Sequence, residues 1–386
     1  MKSSPLATTA AGTTAAGTTA AGGAAARRLP TVLAVATCMV GLLHLDGARL
    51  LGLRAPLEPL STSLGDVESR RGRTPLSLST RRRLDERSSP LELLLRVHPL
   101  LAAPAKCPRV APVFRPVPVR SISHDTASFL QGLVFHDHVL YEAAGLYGKS
   151  SLRVVHALNG SVLRRNDLRG AEPSIFGAAL SRPAARYFAE GITYWRGKLL
   201  MLTWKSGSLL EFDAFTLTLV REHTHFADQL DRREGWGITN DDNWLYVTDG
   251  SHKLYKVDPE SLRVVEKIPI VGTRPLSTRL ARSRPGAPTE LTRLNELELL
   301  PNGLLLFNIW LSDYVGVYDL RKRCLAGWIN GTGLDASFSK LRRRGACLNG
   351  IAFDETTGEL LISGKLWPVM HAIWLEPQQA ADSWPG

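Results

Sequence analysis

Glutamate, amide and tryptophan side chains recur at equivalent places along the chain after residue 130, and one lysine joins them. Phe188-Ala189-Glu190-Gly191-Ile192-Thr193 is echoed by Glu234-Gly235-Trp236-Gly237-Ile238-Thr239. Looser copies are Gln131-Gly132-Leu133, Asn295-Glu296-Leu297 and Asn349-Gly350-Ile351, with Trp204, Trp310, Lys365 and Trp367 following in later strands or turns. A carboxyl group such as Glu190 can take a proton from a reacting group and return it. A lysine can stabilise developing negative charge, carboxamides can orient a polar substrate, and tryptophans can wall it off from water. None of this works unless the copies meet in space, so the elements that carry them decide the matter.

From about Arg109 the chain consists of short apolar, often alternating runs separated by turn residues, without a long helical period. Five internal units emerge, opening at Gly132, Gly191, Gly235, Asn295 and Asn349. A complete unit offers four strands joined by tight turns, the pattern of a propeller blade. Asp213, Asp258 and Asp319 precede the last strand of their units and read as turn formers. The fifth unit has only three strands, and Val110 to Ile122 supplies a spare strand ahead of the first. The expected fold is an all-β, five-bladed β-propeller in which this N-terminal strand closes the last blade and removes an open edge. In such a fold the unit starts converge at one end of a central channel. Longer connections at Asn166 to Tyr187, Gly272 to Arg293 and Gly331 to Ala346 fall between units.

Residues 1–28 form a Thr/Ala/Gly-rich low-complexity tail, expected to be disordered and cytoplasmic. Residues 29–45 contain no Asp, Glu, Lys or Arg and follow Arg27-Arg28. That pattern suits a transmembrane signal-anchor with a luminal bulk; a cleaved signal peptide or an organelle-targeting leader are the alternatives. Residues 46–106, rich in Ser, Arg, Pro and Leu, read as a disordered stem, and residues 107–386 as the catalytic domain. Of the formal net charge of +11, +7 lies in residues 1–106 (14 basic against 7 acidic side chains), leaving +4 for the rest. No basic face for nucleic acid is evident in the folded part. The four cysteines, Cys38, Cys107, Cys324 and Cys347, have no zinc-like spacing, and Cys324 with Cys347 is the pair considered for a disulfide. Asn159-Gly160-Ser161 and Asn330-Gly331-Thr332 are glycosylation acceptors if the domain is luminal, in the Golgi or ER, or secreted.

Eight motifs in order resemble the plant-type and bacterial glutaminyl-peptide cyclotransferases. They are Phe129-Leu130-Gln131-Gly132-Leu133, Tyr141-Glu142 with Gly145 to Arg153, Phe188 to Thr193, Leu202-Thr203-Trp204-Lys205, Glu234-Gly235-Trp236-Gly237, Arg293 to Glu298, Asn349-Gly350-Ile351-Ala352 and Gly364 to Pro368. The resemblance covers about Val119 to Leu375. It implies a five-bladed propeller acting as an acyltransferase, which converts N-terminal glutamine of peptides or proteins to pyroglutamate and releases ammonia. It further implies Glu190 as the acid/base residue. Lys365 would be its catalytic partner, stabilising the oxyanion or simply pairing with the glutamate. Phe129, Gln131, Phe188, Trp204, Trp236, Asn295 and Trp310 would form the substrate pocket. No metal is required for that chemistry, although a structural calcium or other divalent cation in the channel is compatible with the family. A monomer is expected. The insertions before Glu190 and Asn295 bear on substrate range rather than on the reaction.

Two readings from other classes remain open on the sequence. One is a non-catalytic propeller that binds peptides or glycans on the same tryptophan-lined face. The other is a calcium-dependent propeller hydrolase built on Glu190, Asn295, Glu296 and Asn349. His136/His138 and His223/His225 alternate along the chain, but read as solvated histidines near turns rather than as metal ligands.

Overall fold

The computed structural model describes residues 88–168, 180–275, 288–334 and 345–378. The expected tail and signal-anchor, most of the stem, and the middles of the three long connections lie outside these residues. Among the described residues no helix is long and apolar enough to cross a membrane.

Strand β1 (Val113–Ser123) precedes β2 (Leu130–His136), β3 (Val139–Ala144), β4 (Ser151–His156) and β5 (Val162–Asp167), which pair antiparallel in sequence order as a four-stranded sheet. Two further sheets repeat this order: β6 (Ala189–Trp195), β7 (Lys198–Thr203), β8 (Leu209–Asp213) and β9 (Leu219–His223), then β10 (Ile238–Asn240), β11 (Leu245–Thr248), β12 (Lys253–Val257) and β13 (Val264–Pro269). A small ribbon, β14 (Val271–Gly272) with β15 (Thr289–Glu290), follows. The last strands are β16 (Leu294–Leu299), β17 (Leu304–Ile309), β18 (Tyr314–Asp319), β19 (Cys324–Asn330), β20 (Leu348–Phe353), β21 (Leu360–Gly364) and β22 (Val369–Pro377). With β1 they make an eight-stranded sheet in the order β16-β17-β18-β19-β1-β22-β21-β20. The architecture is thus all-β and propeller-like.

Local chemistry explains the hairpins. Asp137-His138 and Arg196-Gly197 all take positive φ, the combination that two-residue turns need to match strand twist. The Asp213, Asp258 and Asp319 carboxylates accept backbone N–H groups of the turns that follow them, as does Asp354 in a later hairpin turn, 354–359. β1 pairs antiparallel with β22 from Phe114 opposite Pro377 to Ser123 opposite Val369. Its start also runs parallel to β19, at Val113 opposite Trp328 and Phe114 opposite Ile329. The spare N-terminal strand therefore docks on the last sheet, as its position ahead of an incomplete unit requires.

The inner strands β2, β6, β10, β16 and β20 abut one another in cyclic order, β20 returning to β2. Glycine makes this approach sterically feasible. A Cβ on Gly191 would stand 2.6 Å from the Trp236 carbonyl oxygen, and one on Gly237 only 1.9 Å from the Asn295 carbonyl oxygen. The apolar core lies between neighbouring sheets; between the first two it contains Tyr141, Leu152, Ile192, Met201 and Leu210. Outer strand β5 alternates between exposed and half-buried residues.

Two expectations need correction. Part of the presumed stem is ordered: helix α1 (Pro90–Val97) starts with Ser89 and Glu92 in a capping box and buries Leu93 and Leu94. Leu94 and Leu101 join the core that also contains Leu304, Leu348 and Leu360. The disulfide is Cys107–Cys324, with Cα atoms 6.0 Å apart, and does not involve Cys347. Cys324 opens the outer strand β19, beside the segment leading into β1, where the Trp328 N–H donates to the Pro112 carbonyl. Cys347 instead lies buried beside the start of inner strand β20, its carbonyl bonded to the Lys365 N–H.

A buried ionic cluster clamps two loops together. Glu142 on β3 accepts from Ser128 Oγ, from Arg153 at 3.2 Å and from His124 Nε2 at 3.1 Å. His124 in turn binds the Trp367 carbonyl through Nδ1 at 2.7 Å and the Pro368 carbonyl through its backbone N–H at 2.8 Å. The Ser128 carbonyl accepts from the Leu366 N–H at 2.7 Å. Leu366 has φ of 62°, an uncommon conformation for a residue with a Cβ, so this clamp holds the turn after Lys365 in a strained shape. Replacing Glu142 with Leu would leave buried His124 without its carboxylate and Arg153 with Asp125 as its remaining ionic partner, and should destabilise the fold by about 3 kcal/mol, read by chemical denaturation.

Glu298 of β16 supplies a further tie between inner strands, accepting the N–H of Phe353 in β20 at 2.7 Å. Burial pushes its carboxyl up to about 8, with Glu355 adding to the rise and the Phe353 bond opposing it. The folded state therefore favours the neutral form, and that stabilisation is complete below the ordinary carboxylate range and lost as pH rises through about 8. Glu298→Gln keeps an acceptor for Phe353. It should leave stability nearly unchanged at acidic pH and raise it at pH 8 and above by about 2 kcal/mol or more, seen as a Tm difference between the two proteins that grows with pH.

Candidate active site

The residues singled out by the repeats come together because the inner strands carry the same irregularity at the same place. In β2 the register jumps between Leu130 and Gly132, leaving Gln131 as the extra residue. β6 places Glu190 and Gly191 opposite the single residue between Met201 and Thr203. β16 does so with Asn295 and Glu296, and β20 with Asn349 and Gly350. At the third sheet, Trp236 donates to the Thr248 carbonyl while Gly237 accepts from the Thr248 N–H. Such bulges bend a strand and re-aim its side chains. Here they turn the first bulge residue, Gln131, Glu190, Trp236, Asn295 or Asn349, toward a common end of the ring. The second bulge residue is glycine in all but one of these strands. The exception, Glu296, is buried among its neighbours, with Oε1 3.4 Å from the Leu133 N–H.

Glu190 is buried and accepts a hydrogen bond from Gln131 Nε2 at 3.1 Å. The other end of the Gln131 amide, Oε1, accepts from the Lys365 ammonium, which lies 5.0 Å over the Phe129 ring. The amide is thereby fixed with its NH2 toward the glutamate. Lysine and glutamate are linked through Gln131 rather than paired directly. Burial pushes the Glu190 carboxyl well above the ordinary carboxylate range; the Lys365 charge opposes this rise and Glu234 adds to it. Burial pushes the Lys365 ammonium down, while Cys347 and Glu190 favour its charged form.

Two aromatic groups flank these residues. Phe188 packs edge-on against Phe129 at 6.2 Å, Tyr147 at 5.3 Å and Trp204 at 5.6 Å between ring centroids. Trp236 meets Trp310 edge-on at 5.7 Å. Glu234 joins the groups, its Oε2 accepting from the indole N–H of Trp204 at 2.8 Å and of Trp236 at 3.0 Å. Asn295 donates from Nδ2 to Asn349 Oδ1 at 2.9 Å, and Asn349 donates to the Leu130 carbonyl at 3.0 Å. The Asn295 Oδ1 atom is buried without a hydrogen-bond partner among the described residues. The site thus brings together a buried carboxyl, an oriented amide, a buried amide oxygen without a partner among the described residues, and aromatic walls.

Phe129, Gln131, Phe188, Glu190, Trp204, Trp236, Asn295, Trp310 and Lys365 lie in this constellation, whereas Glu296 and Trp367 do not. Trp367 is 1% exposed and packs in the core with Leu348, Ile362 and Ile373. Sequence reasoning left out Tyr147 and underrated Glu234. The Gly145-Leu146-Tyr147 turn could have signalled the first, and the Glu-Gly shared by Glu190-Gly191 and Glu234-Gly235 the second. Histidines are used elsewhere: His136 stacks on Tyr194, His223 pairs with Glu211 and His225 with Asp228. Among the described residues no three His, Cys, Asp or Glu side chains gather to hold a metal. Near the axis, Glu296 Oε2 and Asn295 Oδ1 are unpartnered, but Glu298 is bonded to Phe353. One carboxylate and one amide oxygen fall well short of the roughly 6–8 oxygens calcium takes, and burial drives Glu296 toward its neutral form. The residues do not support a calcium site.

Comparison with known proteins agrees with this geometry. The family model described as glutamine cyclotransferase matches residues 93–375. A glutaminyl-peptide cyclotransferase of Arabidopsis thaliana is 31% identical over 264 residues, covering 68% of this chain and 72% of the relative. The crystal structure of Myxococcus xanthus glutaminyl cyclase superimposes with a TM-score of 0.55 at 25% identity, over 70% of this chain and 100% of that one. The match spans the sheets and every residue of the constellation, and the chain belongs to the glutamine cyclotransferase family.

Proposed function

We propose that this protein is a glutaminyl-peptide cyclotransferase, an acyltransferase that closes the N-terminal glutamine of peptides or proteins to pyroglutamate. The observation that carries the reading is the buried Lys365–Gln131–Glu190 chain opening beside aromatic walls. In the reaction, the substrate's neutral α-amine attacks its own γ-carboxamide carbon. Glu190, as the carboxylate, takes the proton from the α-nitrogen as the new C–N bond forms. It returns that proton to the carboxamide nitrogen as the old C–N bond breaks and ammonia leaves. The enzyme ends as it began, and no metal enters the scheme. Gln131 fixes the Glu190 carboxyl, and Lys365 acts through Gln131 while its charge tempers the rise in the Glu190 pKa. Asn295 Oδ1 accepts from the carboxamide. Phe129, Phe188, Trp204, Trp236 and Trp310 hold the substrate folded and exclude water, which favours a near-attack geometry.

We read the scaffold as five blades. The eight-stranded sheet divides where β1 touches β19 through only two residue pairs, and the inner strands abut in one cycle. The Cys107–Cys324 disulfide supports an oxidising compartment, hence a luminal or secreted domain. Membrane attachment through residues 29–45 and a monomeric state complete this reading.

A Gln-initiated dipeptide incubated with the purified protein should release ammonia, with Glu190→Gln lowering kcat by about 100-fold or more. Because Glu190 must be ionised to act as base, kcat/KM should rise with pH along a limb lying above the ordinary carboxylate range. A second dependence follows the substrate amine, near ~7.7–8.0. Lys365→Met removes the opposing charge and should move the Glu190 limb to higher pH. Ammonia release at the full rate from Glu190→Gln would overturn its assignment. Saturable peptide binding with no ammonia from the wild type would favour the non-catalytic propeller.

A further inference from the structure

Glu234 has no part in the proton transfers above, yet it stands beside the acid/base residue. It is half-buried, and one oxygen receives both indole N–H groups while Oε1 makes no hydrogen bond among the described residues. It is close enough to Glu190 to raise that carboxyl, and both carboxyls act on the Tyr147 hydroxyl. Using the two indole edges for Glu234 orients both rings and leaves packing to their faces, where Gly250 lies against Trp236 and Lys205 over Trp204. A carboxylate held between two indole edges, with its second oxygen making no hydrogen bond among the described residues, is a chemical match for a small cation. The chain itself shows the preference: the Lys205 ammonium lies 4.4 Å over the Trp204 ring.

We propose that Glu234, held by the indole edges of Trp204 and Trp236, forms the recognition site for the substrate's free α-ammonium group. This rests on the reading of the site as one for N-terminal glutamine, and deepens it by assigning the two carboxylates different tasks. Glu234 selects an unblocked N-terminus and brings its nitrogen beside Glu190; the ammonium gives its extra proton to solvent water, and Glu190 then takes one proton from the neutral amine and passes it to the leaving nitrogen. The arrangement also explains why a second glutamate that raises the cost of ionising Glu190 is kept beside it. An incoming ammonium offsets their repulsion. Peptides whose terminal nitrogen is acylated, or glutamines inside a chain, carry no such charge and should enter poorly.

The test is binding without turnover. The probes are a dipeptide beginning with norvaline, which has a free α-ammonium but no γ-carboxamide to cyclise, and the same compound lacking the amine. Their Kd values, read by tryptophan fluorescence or calorimetry, should differ at least tenfold in favour of the ammonium form for the wild type near neutral pH. Glu234→Gln should weaken the ammonium probe by about tenfold or more and leave the desamino probe within about twofold, while Glu234→Asp should retain the preference. Glu234→Gln should also raise KM for a Gln-initiated dipeptide more than it lowers kcat, opposite to Glu190→Gln. Equal wild-type affinity for the two probes would overturn the proposal, whether or not the variants fold. Equal weakening of both by Glu234→Gln would likewise reduce Glu234 to a brace for the tryptophans. Failure of the wild type to release ammonia, with the ammonium preference intact, would instead overturn the cyclotransferase reading.

Discussion

The close approach of the innermost strands is the constraint on which the rest of this structure depends. Gly132, Gly191, Gly237 and Gly350 occur where a Cβ would strike the next strand or the side chain packed on it. Where the pattern changes to Glu296, its side chain occupies the space near the axis and reaches the Leu133 N–H. A bulge repeated beside these positions turns the preceding residue toward the mouth of the ring. Packing and chemistry are thus set by consecutive residues: one lets the strands meet, and the other faces the site.

That crowding has an electrostatic consequence. Glu190, Glu296 and Glu298 are withdrawn from water without a directly paired cation, so burial favours their neutral forms. Glu142 is equally buried but surrounded by His124, Arg153 and Ser128, and its carboxyl is held below the ordinary range. Its large desolvation cost is outweighed by hydrogen bonds and the two neighbouring cations. The protein therefore holds two kinds of buried carboxyl. One is locked in its charged form and braces the Lys365 turn; the other is held toward its neutral form by burial.

Aromatic packing separates the tasks further. Phe129, Tyr147, Phe188 and Trp204 form a continuous set of edge contacts, while Trp236 and Trp310 form another. Glu234 joins them through indole hydrogen bonds, which orient both tryptophans at little cost in side-chain freedom. The Arg293 guanidinium lies 5.7 Å over Trp310 and the Lys205 ammonium over Trp204, so positive charge borders both aromatic groups.

Much of this was legible in the sequence because propeller-like repeats write their period openly. Alternating apolar runs and turn-forming Asp213, Asp258 and Asp319 specify strands and hairpins through local geometry. The Glu-Gly, Gln-Gly and Asn-Gly copies mark the positions that face the centre. An incomplete final unit likewise required the N-terminal strand that became β1. Tertiary structure decided what depends on meetings between distant segments. Cys324 could not choose between Cys107 and Cys347 until β19 and the segment before β1 were placed side by side. Trp367 matched the site tryptophans in type but fell inside the core because the Lys365 turn folds back under the clamp from His124. Lys365 could be read as a direct partner of Glu190 until Gln131 was found between them. Local sequence sets the element and its facing residue, whereas hydrogen-bond partners and burial arise only when separate strands close around a common axis.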